Sequence, residues 1–168
     1  MKRIIFILLI CCWQNAYSQR DGFSYNFSSS YEIKNYYSKN IQYLDPIEGV
    51  YDVDFAANTN SPWAPNLRDN DTFYIVKEYE NSFAVYSEGG GFHKGENLSF
   101  KKIGDTNVYR ASWQNSSVQA YLENRTRLSF SIELYREDAR KFAQNPNFAW
   151  RIILVYNMIK EYPRPSMY

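Results

Sequence analysis

From Ile47 onward, apolar and polar residues alternate with a period of two, the spacing of a strand buried on one face and wet on the other. Tyr51-Asp52-Val53-Asp54-Phe55 sets apolar side chains against carboxylates, and Leu128, Phe130, Ile132 and Leu134 alternate with Ser129, Ser131 and Glu133. Strand-like runs between them are Thr72 to Tyr79, Phe83 to Tyr86, Leu98 to Lys102, Val108 to Trp113 and Val118 to Leu122. Phe148 to Ile159 forms the last, with Pro163 and Pro165 beyond it. The separators Glu80-Asn81, Gly104-Asp105-Thr106-Asn107, Asn115-Ser116 and Asn124-Arg125 carry turn chemistry, because Asn and Gly accept the left-handed backbone of tight hairpins. Two connections are longer: Ala56 to Asn70, and the loop opened by Gly89-Gly90-Gly91.

The period changes to a helical one in two places. Ile33, Tyr36, Tyr37, Ile41 and Leu44 predict a short helix over residues 31–43, and Asp45-Pro46 ends it, since a residue before proline is pushed out of the α region. Residues 136–144 lack β-branched side chains and predict a second helix, ended by Asn145-Pro146. Residues 19–30 are polar and aromatic without a period and read as a poorly ordered leader. Eight strands joined mostly by short turns favour sequential antiparallel neighbours. The chain is therefore expected to be all-β: an eight-stranded antiparallel up-and-down barrel over residues 44–163, with a short N-terminal helix, a short helix before the last strand, and a tail over 164–168. A β-sandwich or another kind of barrel is the alternative.

The N-terminus changes the compartment. Lys2 and Arg3, the apolar run Ile4 to Cys12 and the small residues Ala16 and Ser18 have the layout of a secretory signal, expected to span residues 1–18 and to be cleaved after Ser18. The apolar run is shorter than the roughly 20 residues of a membrane span. Lipidation at Cys11 or Cys12 is the alternative, but Ile10 precedes the first and Cys11 the second, where a small residue belongs. The mature chain is expected to be secreted or periplasmic, with 17 basic and 18 acidic residues among the remaining 150. No surplus of positive charge points to nucleic acid. Both cysteines leave with the signal, so packing replaces disulfides, and thiolate chemistry is excluded.

Aromatic residues are abundant, which favours half-buried pleated surfaces. An outer-membrane barrel needs an uninterrupted lipid-facing apolar row, and Asp52, Asp54, Lys77, Lys101, Lys102 and Glu133 interrupt these strands. No membrane-crossing segment is expected after the signal.

Gly49-Val50-Tyr51 on the first strand, preceded by a helix, and a helix over 136–144 before a closing strand resemble the calycin superfamily, in particular lipocalin-like secreted barrels. Leu44-Asp45-Pro46-Ile47-Glu48-Gly49-Val50-Tyr51 also resembles a segment of secreted bacterial proteins with lipocalin-like domains. Here Tyr stands where that family has Trp. The resemblance implies an arginine late in the chain that packs over the first-strand aromatic, a role for which Arg151 is the candidate. It also implies that the 15-residue segment Ala56 to Asn70, with Pro62, Trp63 and Pro65, covers the open end of the barrel.

Candidate chemistry is sparse. Tyr51, Phe73, Phe83, Tyr109, Trp113 and Phe130 are the expected inward aromatics, and with Trp63 they are the candidate ligand-binding residues for a small apolar or amphipathic molecule. The same residues equally describe a filled interior. His93 is the sole histidine, so a two-histidine metal site is unavailable to the chain, and no Gly-x-Ser-x-Gly elbow accompanies it. The glycines before it lack the spacing of a phosphate loop and predict a mobile hairpin tip. Asp52 with Asp54, and Glu137 with Asp138, read as a wet strand face and a first helical turn. The expected function is binding without catalysis or cofactor, with an envelope interaction protein built on a filled barrel as the alternative.

Overall fold

Eight antiparallel strands close into a barrel in the computed structural model, which describes residues 26–60, 66–145, 148 and 151–164. Residues 1–18, expected to be a secretory signal, Trp63 and residues 165–168 lie outside the described residues. The strands are β1 (Gly49–Thr59), β2 (Leu67–Tyr79), β3 (Ser82–Ser87), β4 (His93–Lys102), β5 (Val108–Trp113), β6 (Ser116–Glu123), β7 (Arg127–Leu134) and β8 (Ile152–Tyr162). Each pairs with the next in sequence, and β8 returns to β1. Helix α1 (Ser30–Asn40) runs into a single 3-10 turn at Ile41–Tyr43, and α2 (Arg136–Phe142) precedes β8. The expected architecture, helices included, is the one observed, and it is compatible with a lipocalin-like layout.

The strands outrun their apolar stretches. Ala56 to Asn70 is not one loop: Ala56 pairs with Arg68 and Ala57 with Leu67, leaving a short connection around 60–66. Backbone pairing is indifferent to side-chain polarity, so the polar ends Asn58-Thr59 and Arg68-Asp69-Asn70 still join the ladder. Likewise β4 starts at His93 rather than Leu98. Ala84 pairs with Ser99 and Tyr86 with Lys94, so Val85 alone faces Gly95 to Leu98 across a wide bulge. Such bulges bend a strand and re-aim its side chains.

Helix α1 begins at Ser29, whose hydroxyl accepts from Glu32 N at 3.4 Å, while Ser28 N and Oγ donate to the Glu32 carboxylate. It buries Ile33 and Tyr37 against the outer wall, among Val50, Tyr74, Val76 and Tyr86. Phe27 packs against Tyr36 and Tyr86, so the residues just before the helix are seated on the barrel and not part of a loose leader. Tyr37 Oη lies 2.8 Å from Ile75 O and 3.0 Å from Gly49 O, sharing its proton between two strands.

Residues 44–48 then close one end of the barrel. Glu48 is fully buried. Its carboxylate accepts from Asp45 N (2.8 Å), Tyr36 Oη (2.9 Å) and Lys77 N (3.0 Å). Asp45 takes Lys102 Nζ and Tyr109 Oη, each at 2.6 Å. Tyr51 Oη donates to Ile47 O (2.8 Å), and Lys160 Nζ donates to Pro46 O (2.7 Å) while lying 5.9 Å above the Tyr51 ring. The cation over the first-strand aromatic is thus Lys160. Arg151 sits at the opposite end of β8 and pairs with Glu133 at 2.6 Å. Register explains the correction, since Tyr51 pairs with Lys160 across the seam.

Gly49 is required where β1 passes this latch. A Cβ there would stand 2.3 Å from Lys160 Cε and 2.4 Å from Tyr162 O. Gly49→Ala is therefore expected to lower the unfolding free energy by about 2 kcal/mol or more, read as a drop in the urea midpoint at constant slope; an unchanged midpoint would show that this approach is not tight.

Burial lowers the Lys160 ammonium from 10.5 to about 8, against the partial compensation of Glu48 and Asp45. Between those pH values the unfolded chain binds more protons than the fold, so this residue makes stability rise with pH. The wild-type advantage over Lys160→Met should grow by about 2 kcal/mol between about pH 7.5 and 9.5. A flat difference in urea titrations at the two pH values would contradict it.

Candidate functional site

Alternation decides which face a residue takes, and depth along the barrel decides what it meets there. At the closed end the inward aromatics are core: Tyr51, Phe83 and Tyr109 are fully buried, with the Phe83 and Tyr109 rings 5.9 Å apart edge to face. Burial, then the bond to Asp45, pushes the Tyr109 hydroxyl far above its ordinary range. Phe130 lies deeper than the mouth, stacked on Tyr156 at 4.9 Å and edge-on to Phe100 at 5.6 Å.

The opposite end is not filled. A cavity of about 350 Å³ opens among β1 to β5 and β8. Its apolar wall is Phe55, Phe73, Val85, Leu98, Trp113 and Tyr156; its polar rim is Asp69, Asp71, Ser87, His93 and Asn97. Of the aromatics expected from the sequence, Phe73 and Trp113 line this cavity, while Tyr51, Phe83, Tyr109 and Phe130 do not. Trp63 belongs to the connection between β1 and β2, outside the described residues.

Helix α2 seals the other half of this end. Asp138 accepts from Ser116 Oγ (2.8 Å) and Asn115 Nδ2 (3.1 Å), fixing the helix over the β5–β6 turn. Phe142 then reaches Trp113 at 5.9 Å and Phe55 at 6.4 Å, backing two residues of the cavity wall. The bulge on β4 opens the remaining half: it brings Gly95, Asn97 and Leu98 all onto the cavity. A Cβ on Gly95 would press to 3.2 Å from Val85 O, so the narrow residue suits the wall there.

Polar groups on the inward face came from the same alternation. Asp69, Asp71 and Phe73 share one side of β2, and register carries Asp69 across to Phe55 and on to Tyr156. Asp71 is built in: its carboxylate accepts from Ser87 Oγ, from Gly89 N at 2.8 Å and from Thr72 N at 2.6 Å. Asp69 accepts from Asn70 N at 2.8 Å. His93 Nδ1 donates to Gly91 O at 2.6 Å, and His93 pairs with Ser87 across β3 and β4. The glycine loop is held on both sides of the wall, by Asp71 within and by Phe92, which stacks on Tyr86 at 5.6 Å, without. It is a pinned rim and not a free tip.

Tyr156 is the anomaly. It is 5 % exposed, yet its hydroxyl has no hydrogen-bond partner among the described residues. The hydroxyl is also not among the fully enclosed unpaired atoms. It therefore opens on the cavity that the residue lines. Burial alone pushes its pKa far above the ordinary phenol range. Among the described residues no group of three or more His, Cys, Asp or Glu side chains is placed to hold a metal ion.

Asp69, Asp71 and Tyr156 escaped the sequence reading. The available signal was period two continued through polar residues, from Phe73 back to Asp69 and along Leu154, Tyr156 and Met158. Comparison with protein-family models, with curated protein sequences and with solved structures finds no match.

Because the Tyr156 hydroxyl opens on the cavity with no hydrogen-bond partner among the described residues, Tyr156→Phe should leave the unfolding free energy unchanged or raise it by up to ~1 kcal/mol. Urea unfolding measures this, and a clear loss of stability would show that the hydroxyl is bonded in the fold.

Proposed function

We propose that this chain is an exported, lipocalin-like carrier that binds a small apolar or amphipathic molecule in the open end of its barrel. The observation that carries the reading is the division of the interior: a closed end packed solid and latched, and an open end with an unfilled, aromatic-walled cavity of about 350 Å³. That volume lies at the lower end of the roughly 300–1,000 Å³ of ligand pockets, which are mostly apolar with a few placed polar groups. Export rests on residues 1–18 and agrees with a barrel that needs no cysteine.

Binding rather than catalysis is supported by how the rim is bonded. Ser87 donates to Asp71, and His93 donates to a backbone carbonyl, so among the described residues no hydroxyl is coupled to the imidazole as a nucleophile is to its base. The outward faces of β5 to β7 carry Arg110, Ser112, Ser117, Gln119, Ser129 and Ser131. Those side chains suit water.

Two measurements test the reading. Native mass spectrometry and calorimetry with octanol should show one bound molecule, and Val85→Phe, which narrows the cavity, should weaken binding by about tenfold or more while circular dichroism stays that of the barrel. Absence of binding by octanol and by its ammonium- and carboxylate-headed counterparts alike would defeat the carrier reading. Expression of the full chain in a bacterial host with an export pathway should yield, outside the cytoplasm, a product whose intact mass starts at Gln19; an unprocessed cytoplasmic chain would defeat export.

A further inference from the structure

The cavity also specifies the charge of what enters it. Among the described residues its lining holds two carboxylates, Asp69 and Asp71, and no lysine or arginine. Neither carboxylate has an ion-pair partner among the described residues: the nearby cations are engaged elsewhere, Arg68 with Asp54 on the outer face, Lys94 with Glu78, and Arg151 with Glu133. Carboxylates on an inward strand face are unusual, because every other inward position of β2 toward the closed end, Phe73 and Ile75 among them, is apolar until Lys77. Placing two there, one of them clamped by Ser87 and Gly89, builds a fixed negative potential over an apolar chamber.

A second observation is independent of the carboxylates. The Tyr156 hydroxyl, on a side chain 95 % withdrawn from solvent by its 5 % exposure, opens on the same cavity with no partner among the described residues. A buried polar group left unsatisfied calls for a ligand atom or water. An ammonium group answers both features: it supplies the charge the carboxylates lack, and its N–H groups can donate to a phenolic oxygen. The walls suit it as well, since cations are attracted to the faces of aromatic rings such as those of Phe55, Phe73 and Trp113.

Resting on the carrier reading, we infer that the ligand is a compact organic cation, a protonated amine with an apolar body, whose head lies among Asp69, Asp71 and the Tyr156 hydroxyl. A carboxylate-headed amphiphile of the same size is disfavoured by the rim, and a neutral one is accepted only through its apolar part.

Calorimetry on the full barrel with octylammonium, octanol and octanoate at about pH 8 separates these cases, because the three share one tail. Octylammonium should bind about tenfold or more tightly than octanol, with octanoate weakest, and its advantage should shrink as salt screens the rim. Asp69→Asn should cut the ratio of octylammonium to octanol affinity several-fold, and Asp71→Asn should cut it further. A ratio taken within one variant is insensitive to partial loss of folded protein, and the salt series on the unmodified chain needs no variant. Octanol binding with no preference for octylammonium would overturn the cation inference and leave the carrier reading intact. Failure of all three to bind would overturn both.

Discussion

Burying a carboxylate is tolerable only where hydrogen-bond donors replace the water it gives up, and Glu48 meets that condition by drawing three parts of the chain together. Its donors come from α1 (Tyr36), from the segment crossing the barrel end (Asp45 N) and from β2 (Lys77 N). Desolvation nevertheless raises its pKa, so the charge is held at a cost. Losing one donor would leave a buried charge underpaired, an error of several kcal/mol. The helix on the outer wall, the strap across the end and the start of β1 are therefore placed by one side chain.

With that end fixed, the rest of the interior follows from strand register. The same alternation that stacks Tyr51, Phe83 and Tyr109 into a solid floor carries inward positions upward to Phe55, Phe73 and Trp113, where α2 covers only half of the mouth. A filled interior and an open cavity are thus not competing descriptions of this molecule. They are its two ends.

The sequence made face legible but not depth. Period two identified the strands, their order and which aromatics turn inward, and Phe73 and Trp113 were among them. It has no means of saying that Tyr51 lies under Lys160 while Tyr156 lies at the mouth, because depth depends on the stagger between strands. Polar inward residues were misjudged for a related reason. Asp69 and Asp71 look like loop chemistry next to Asn70, and only ladder pairing with Phe55 and Val53 shows that they face the cavity. The start of β4 was hidden by its bulge: His93 and Gly95 face inward on odd positions, Leu98 and Phe100 on even ones, so the alternation breaks in mid-strand. Lys160 in place of Arg151 needed the β1–β8 register, which no local pattern contains.

That seam has a kinetic meaning. Val50 pairs with Tyr162, and Thr59 with Ile152, so the first strand of the barrel waits for the last. Contacts this distant in sequence form late, after their loop-closure entropy is met. Until residue 162 is available, β1 and β7 are open edges able to pair with other chains. Closure, the Lys160 contact to Tyr51 and the Tyr156 wall of the cavity all arrive with β8 in a single event. A chain of this design closes its barrel and completes the wall of its cavity only once β8 is available.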